Sequence, residues 1–203
     1  MAKGYNSRKS GNRKEYKILV VVCEGHTECI YFNRYKERKS GLRIETLNST
    51  ATDPQNLMEF ALKQIQKYDL DEDEQVWCVF DSDNSTDDSI KNAIKLTENK
   101  IKICLSNPCF ELWYLLHFGY FDNKISTKDL LNKLGTHIKN YDKAKDYFDT
   151  LLSKRDAAIG HAKKLNTKHR KTETKLLSVK SNPSTQVFQL VEYILKIIRK
   201  NKL

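Results

Sequence analysis

The sequence lacks long hydrophobic runs and paired cysteines. Its longest unbroken apolar stretch, Ile18 to Cys23, is far shorter than the roughly 20 residues that span a bilayer, and it is short even for the core of a signal peptide. We therefore expect a soluble protein of the cytoplasm with no membrane partner. Five cysteines occur without a CxxC pair. Because several lie in or beside apolar segments, we expect buried free thiols rather than disulfides.

Acidic residues are in the minority, and many of them fall in one segment. The formal net charge is +10, yet residues 51–90 carry eleven acidic residues against Lys63 and Lys67. This distribution suits a polyanion that lysine and arginine bind and that meets carboxylates only where metal ions intervene. An ordinary solvated basic surface explains the composition equally well, and that alternative stays open. Residues 1–16 are basic and nearly free of apolar side chains, which predicts a flexible tail.

Strand and helix patterns alternate along the first 120 residues. Strands are predicted at Lys17–Cys23, Leu42–Leu47, Gln75–Phe80 and Lys100–Leu105. Helices are expected from Thr27, from Asp53 to about Tyr68, and from a cap at Ser85 or Thr86. The alternation predicts an α/β fold with a mostly parallel sheet of about four strands, helices on both faces and a ligand site at the carboxyl ends of the strands. We expect a catalytic α/β domain over 17–120 and a helical extension over 121–203 that packs on it.

Proline is rare, and each proline marks a predicted helix start. The three prolines follow Asp53, Asn107 and Asn182, and a capping side chain before proline is typical of a helix amino terminus. Beyond Phe121 only helices are expected, including a C-terminal amphipathic helix that docks on the core. The basic stretch Lys163–Lys180 is expected to be a loop, either solvated or facing substrate.

Three acidic residues follow predicted strands. Glu24 comes after the first strand, and Asp81 and Asp83 come after the third. If the chain stays extended, Asp81 and Asp83 leave it on one face, and Glu24 joins them when the first strand neighbours the third. Such carboxylates can hold Mg²⁺ or Mn²⁺ against substrate phosphates. A lone DxD is weak evidence, because aspartates after a strand are also ordinary turn formers.

Further candidates surround this set. Glu28 lies in the first turn of a predicted helix, where the helix dipole stabilises it whatever its function, so a supporting metal role is one of two interpretations. Glu111 lies on an apolar helical face, so it pairs with a basic group, faces the site or sits at a wet helix edge; we favour the site. His26 could contact phosphate, although a loop histidine is more often simply exposed. The candidates for binding the substrate backbone are Lys168, Arg170 and Lys171.

Several ordered motifs resemble those of a known family. They are Val22–Glu28 (VCEGHTE), Phe80–Asp83 (FDSD), Ser106–Trp113 (SNPCFELW) and Asn182–Thr185 (NPST). Together they are similar to the motifs of RloB-like proteins, and the resemblance spans nearly the whole chain.

The resemblance implies a Toprim-like fold, in which a glutamate after the first strand and a DxD pair after the third bind divalent metal for phosphodiester chemistry. Glu24, Asp81 and Asp83 occupy those places. It also implies a nuclease effector of anti-phage defence, connected with restriction and abortive infection, that cuts RNA, including transfer RNA, or DNA. The implied partner is an ABC-like or AAA-type ATPase encoded nearby. Related Toprim nucleases often carry aspartate where Glu28 stands, and a homodimer is a further expectation.

Two rival functions remain open at this stage. Phe80-Asp81-Ser82-Asp83 also resembles the motif of haloacid-dehalogenase-like phosphatases, with Asp81 as nucleophile and Asp83 as acid. That motif normally follows the first strand of its sheet, and the comparison leaves Glu24 unexplained. A non-catalytic subunit that binds nucleic acid or a partner is the other alternative. Whether Glu24 is a metal ligand or a proton acceptor is also undecided, because either role needs an ionised carboxylate.

Overall fold

A computed structural model describes residues 17–36, 42–49, 53–70 and 74–200. The strands are β1 (Lys17–Cys23), β2 (Leu42–Asn48), β3 (Gln75–Asp81), β4 (Ile101–Asn107) and β5 (Ser184–Thr185). The helices are α1 (His26–Asn33), α2 (Pro54–Lys67), α3 (Asp87–Leu96), α4 (Glu111–Leu116), α5 (Thr127–His137), α6 (Phe148–Leu152), α7 (Arg155–Lys171) and α8 (Val187–Lys200). The predicted tail at 1–16 lies outside the described residues.

The strands form one sheet in the order β2-β1-β3-β4-β5. The first four are mutually parallel, and β5 runs antiparallel to β4. The predicted α/β fold with a mostly parallel sheet is therefore confirmed, with five described strands instead of about four. The condition that the first strand neighbours the third is met, because Val22 of β1 pairs with Cys78 of β3.

Helices cover both faces of the sheet, and the side chains of β1 alternate between the two layers. Leu19 and Val21 enter a large core that also contains α1 and α4–α8. Val20 and Val22 enter a smaller core under α2 and α3. Side chains on both faces of β1 are buried, which explains why its sequence is a continuous apolar run rather than an alternating pattern.

The helices after residue 120 share the large core with the sheet. The docking of the C-terminal amphipathic helix is confirmed, since α8 buries Val187, Leu190, Val191, Ile194 and Ile198. The division of the chain into domains at residue 120 stays a prediction. All five cysteines are free and buried, as expected from their apolar neighbours.

Two predicted helix starts are correct. Asp53 caps α2 by accepting a hydrogen bond from the Asn56 amide at 3.0 Å. Thr86 caps α3 by accepting one from the Ser89 amide at 3.1 Å. Both caps satisfy amides that the first helical turn leaves without a partner.

The helix starts predicted at Asn107 and Asn182 are wrong. Asn107 is the last residue of β4, and its side-chain amide donates to the carbonyls of Ser178 and Val179 at 3.0 Å each. Asn182 binds the backbone of Ile125 with both ends of its amide. Each asparagine therefore joins two chain segments instead of capping a helix. The peptide bond that follows each of them is cis, and α4 and α8 begin further along the chain.

The chain beyond residue 121 also differs from its prediction in two places. It contains the short strand β5, where Thr185 lies opposite Ser106 and their hydroxyl oxygens are 2.9 Å apart. The stretch 163–180 is not a single loop, because α7 continues to Lys171. A two-residue strand carries no alternation signal, and the buried stripe of α7 contains alanine and polar side chains, so neither element is visible as a hydrophobic pattern. Among the described residues, no helix is long and apolar enough to cross a membrane.

Candidate functional site

The site begins where β1 and β3 end side by side. The Glu24 amide donates to the Val79 carbonyl at 3.0 Å, which extends the strand pairing by one residue. The Glu24 side chain then turns toward β3, where its Oε2 accepts a hydrogen bond from the Asp81 amide at 2.9 Å. The two predicted acidic motifs are therefore joined directly. Burial raises the pKa of Glu24, and the nearby charge of Asp83 adds to that effect.

Asp81 ends β3 with one carboxylate oxygen sealed from water. Its Oδ1 is buried and has no hydrogen-bond partner among the described residues. Burial raises the pKa of Asp81 well above its ordinary value, and the surrounding carboxylates of Glu28, Glu111 and Glu24 raise it further. An unpaired oxygen of this kind is costly to the fold unless a cation or proton completes it.

Asp83 reaches the same cavity by a turn. The condition that the chain stays extended through Asp83 is not met, because Ser82–Ser85 forms a turn closed by a hydrogen bond of 3.1 Å. The Ser82 amide donates to the Ser106 carbonyl at 2.9 Å, which fixes the turn against β4. Asp83 is exposed, and Thr127 donates to its Oδ2 at 3.3 Å.

Glu28 is buried in the first turn of α1 and needs Gly25 beside it. A Cβ atom at position 25 would lie 2.7 Å from Glu28 Oε2, so any larger residue would displace this carboxylate. Gly25 has φ −121°, which any residue adopts, so the site requires its small size rather than its backbone freedom. Burial raises the pKa of Glu28 to about 7, with further contributions from Glu111 and Glu24.

Glu111 begins α4 and is only 1% exposed. Its Oε1 accepts a hydrogen bond from the Tyr141 hydroxyl at 3.0 Å and lies 3.2 Å from Lys143 Nζ. Its Oε2 is buried without a partner among the described residues. Two of the three environments considered for Glu111 are both observed: it pairs with a basic group, Lys143, and it faces the site. The wet helix edge is excluded by its burial.

These five acids line one cavity of about 410 Å³. We call Glu24, Glu28, Asp81, Asp83 and Glu111 the carboxylate cluster. His26 also lines this cavity and is exposed at its rim.

The cavity contains one basic side chain that sequence reasoning missed. Lys143 lines it, and its carbonyl accepts a hydrogen bond from the Thr27 hydroxyl at 3.0 Å, which ties the loop before α6 to α1. No sequence signal distinguishes Lys143, because it is one of 36 lysines and arginines and lies in a polar segment. Tyr141 was missed because it lies in the same polar segment and belongs to no motif.

The three basic candidates near residue 170 lie apart from the cavity lining. They occupy the last turn of α7, where Arg170 and Lys171 are exposed and Lys168 pairs with Asp122 at 2.9 Å. The helix end is fixed near the carboxyl edge of the sheet, because His169 Nε2 lies 2.9 Å from the Pro183 carbonyl oxygen and β5 begins at the next residue. These cations therefore lie toward the edge of the sheet at which the carboxylate cluster stands.

The donor set of the carboxylate cluster fits a hard divalent cation. Five carboxylates face Lys143, and two of their oxygens, on Asp81 and Glu111, are buried without partners among the described residues. Mg²⁺ and Mn²⁺ prefer oxygen ligands, and a nearby cation would stabilise the ionised forms that burial disfavours. Within the described residues, no three His, Cys, Asp or Glu side chains are already arranged as a metal site, so no coordination geometry is assigned.

Comparison with known proteins identifies the family of the chain. The family model described as RloB-like protein matches residues 19–194, which run from β1 into α8. The chain belongs to the RloB-like family. The range shared with RloB-like proteins includes the whole carboxylate cluster and Lys143. No curated protein and no solved structure gives a significant match.

The RloB-like motifs recognised in the sequence converge in the fold. Val22–Glu28 and Phe80–Asp83 supply four of the five acids, and Ser106–Trp113 supplies Glu111. Asn182–Thr185 supplies no acid, but it forms β5 beside the end of β4 and holds the segment before α5 through Asn182. Three motifs therefore build the site, and the fourth supports the edge of the sheet on which it stands.

Proposed function

We propose that this RloB-like protein is a metal-dependent nuclease that hydrolyses phosphodiester bonds of RNA, including transfer RNA, or of DNA. The observation that supports the proposal most strongly is the convergence of five carboxylates in one cavity with two buried oxygens left without partners among the described residues. Structural acids rarely occur in such numbers against one lysine, because each buried like charge destabilises the fold.

Glu24, Asp81 and Asp83 are proposed to hold Mg²⁺ or Mn²⁺, with Glu28 and Glu111 in support. A bound divalent ion would neutralise the phosphodiester, activate water for attack and stabilise the leaving oxygen. Among the groups of the chain itself, the Asp81 amide orients Glu24 through its hydrogen bond to Oε2. Glu24 acts either as a ligand or as the acceptor of a proton from water, and both roles use the same ionised carboxylate.

Binding of the flanking backbone is proposed for exposed polar and basic side chains. His26 stands at the rim of the cavity, and Lys168, Arg170 and Lys171 form a positive surface at the end of α7. Contacts of this kind release counterions, so affinity for nucleic acid is expected to fall steeply as salt rises. Lys168 must exchange Asp122 for phosphate to take part.

The biological setting is proposed from the family resemblance. The protein would act as an effector of anti-phage defence in the cytoplasm, under the control of an ABC-like or AAA-type ATPase encoded nearby. A homodimer is part of the same proposal.

The test is cleavage of a panel of transfer RNA, single-stranded RNA and DNA with Mg²⁺, with Mn²⁺ and with EDTA. Asp81→Asn keeps the shape of the side chain and removes a proposed ligand, whereas Asp88→Asn makes the same change at an exposed position in the first turn of α3. We expect metal-dependent cutting that Asp81→Asn abolishes and Asp88→Asn retains.

Two further measurements separate the rival functions. A phosphoenzyme that forms on the unaltered protein and disappears in Asp81→Asn would favour the phosphatase. Tight metal-independent binding of nucleic acid, with no cleavage even after the neighbouring ATPase is added, would favour a non-catalytic subunit.

A further inference from the structure

A second cavity adjoins the carboxylate cluster and shares Lys143 with it. This cavity measures about 380 Å³ and lies between α5 and the loop that follows. Its lining consists of Leu131, Asn132, Gly135, Asn140, Tyr141 and Lys143. We call it the α5 cavity. Because Lys143 lines both cavities, they meet at this side chain.

Two residues connect the α5 cavity to the acids. Tyr141 lines the α5 cavity and also donates from its hydroxyl to Glu111 Oε1 at 3.0 Å. Lys143 Nζ approaches the same oxygen at 3.2 Å. A molecule in the α5 cavity would therefore lie beside the groups that hold Glu111.

The chemistry of the α5 cavity differs from that of its neighbour. No acidic side chain of the described chain lines it, and Lys143 is its one charged lining residue. Asn132 and Asn140 offer amides that can both donate and accept, and Tyr141 offers an aromatic ring. Amides that read base edges, aromatic rings that stack on bases and a cation for phosphate are the groups with which proteins bind unpaired nucleotides.

The cavity between α7 and α8 makes a useful contrast. It is larger, at about 560 Å³, but acids and bases both line it, and within the described part of the chain it shares no lining residue with the cavity of the carboxylate cluster. Size alone therefore does not single out the α5 cavity. The α5 cavity is distinguished by its contact with the carboxylate cluster through Lys143 and by its positive, amide-rich lining.

We propose that the α5 cavity binds the base of the nucleotide next to the phosphodiester held at the carboxylate cluster, with Lys143 against the intervening phosphate. This inference rests on the nuclease function proposed above. It assigns a single-stranded substrate, because a base paired in a duplex cannot leave the stack to enter a cavity without the cost of unpairing.

Gly135 offers a direct way to fill the α5 cavity. A Cβ atom there would meet nothing within 4 Å, so a leucine side chain fits without a clash at its base and occupies the space of the ligand. Replacing a helical glycine also removes its entropic cost, so the fold is not weakened. Gly160 of α7 is equally open and does not line the cavity, which makes Gly160→Leu the matched control.

The probe is a fluorescein-labelled single strand of about eight nucleotides, a length typical of single-strand sites, followed by fluorescence anisotropy with Ca²⁺ in place of Mg²⁺. We expect Gly135→Leu to bind about tenfold more weakly, as loss of one stacked base requires, and Gly160→Leu to bind like the unaltered protein. Asn132→Ala, an exposed change on the same wall, should weaken binding several-fold and serves if Gly135→Leu folds poorly.

The outcomes distinguish this inference from the nuclease proposal. Equal binding by Gly135→Leu and Gly160→Leu, or preference for a duplex over the single strand, overturns the base-binding role even if the protein cuts nucleic acid. Selective loss of binding in Gly135→Leu supports the subsite even if no metal restores cleavage. Failure of the unaltered protein to bind the single strand overturns the subsite as well.

Discussion

The carboxylate cluster should destabilise the metal-free fold, and Glu28→Gln measures by how much. Burial, together with Glu111 and Glu24, raises the pKa of Glu28 from its ordinary 4.5 to about 7. A rise of that size corresponds to about 3 kcal/mol against the ionised form in the folded chain. Glutamine keeps the shape of the side chain and cannot ionise, so it removes this cost.

The effect has a defined pH dependence. Because the folded-state pKa of Glu28 lies above the unfolded value, the folded chain holds the proton more tightly, and stability falls as pH rises from about 4.5 to about 7. We expect Glu28→Gln to exceed the unaltered protein by about 3 kcal/mol in free energy of unfolding near pH 8 and to match it near pH 4.

The assay is urea unfolding in EDTA at both pH values. Glu59→Gln is the control, because Glu59 lies on α2, accepts a hydrogen bond from Gln55 and has no part in the cluster. Mg²⁺ added in excess of the EDTA should reduce the difference in free energy of unfolding between Glu28→Gln and the unaltered protein, because it stabilises the ionised cluster. The reasoning is refuted if Glu28→Gln is no more stable than the unaltered protein near pH 8, since Glu28 would then be a stabilised ion.

Three further predictions concern stability. Burial lowers the pKa of His117 to about 4, so the contribution of His117 to stability is lost as pH falls from about 6.5 toward 4. Relative to His117→Gln, the unaltered protein should lose about 2 kcal/mol of unfolding free energy between pH 7 and pH 5, measured by urea unfolding. Parallel pH profiles for the two proteins would contradict this. Asn107→Ala leaves two carbonyls without their donor and should lower the free energy of unfolding by about 2 kcal/mol, whereas an unchanged urea midpoint would show that water replaces the amide. Thr86→Ala removes the cap of α3 and should lower the free energy of unfolding by about 1 kcal/mol in the same assay. Thr86→Ser keeps the hydroxyl and should retain most of that stability.

Features fixed by local chemistry were predictable from the sequence. The run Ile18–Cys23 of β1 is apolar at every position because helices cover both faces of the strand, and a strand buried on both sides has that pattern. Asp53 caps α2 because an aspartate before proline satisfies an amide three residues away, with no help from the rest of the fold. The convergence of Glu24, Asp81 and Asp83 was predictable because the carboxyl ends of neighbouring parallel strands meet at one edge of the sheet.

Features fixed by tertiary contacts were not predictable. Asn107 and Asn182 carry the same asparagine-proline signal as a helix cap, but distant carbonyls and amides use their side chains instead. Lys143 reaches the cluster only because Thr27 holds its loop against α1. The buried stripe of α7 is formed largely by alanine, asparagine and histidine, so hydrophobicity does not reveal this helix.

The cost of the carboxylate cluster and its proposed function have the same physical origin. In the metal-free protein Lys143 compensates Glu111, while Asp81 keeps a buried oxygen without a partner among the described residues. A ligand that binds only the folded state adds stability in proportion to its affinity, so a cation at this cluster would offset the repulsion that raises the pKa of Asp81 and Glu28. It would also reduce the need of Glu111 for Lys143, leaving that ammonium free to turn toward a phosphate between the two cavities. The arrangement would therefore couple the proposed cation binding to substrate binding through one lysine, and Lys143→Met should weaken the metal-free fold while leaving cation affinity intact or increased.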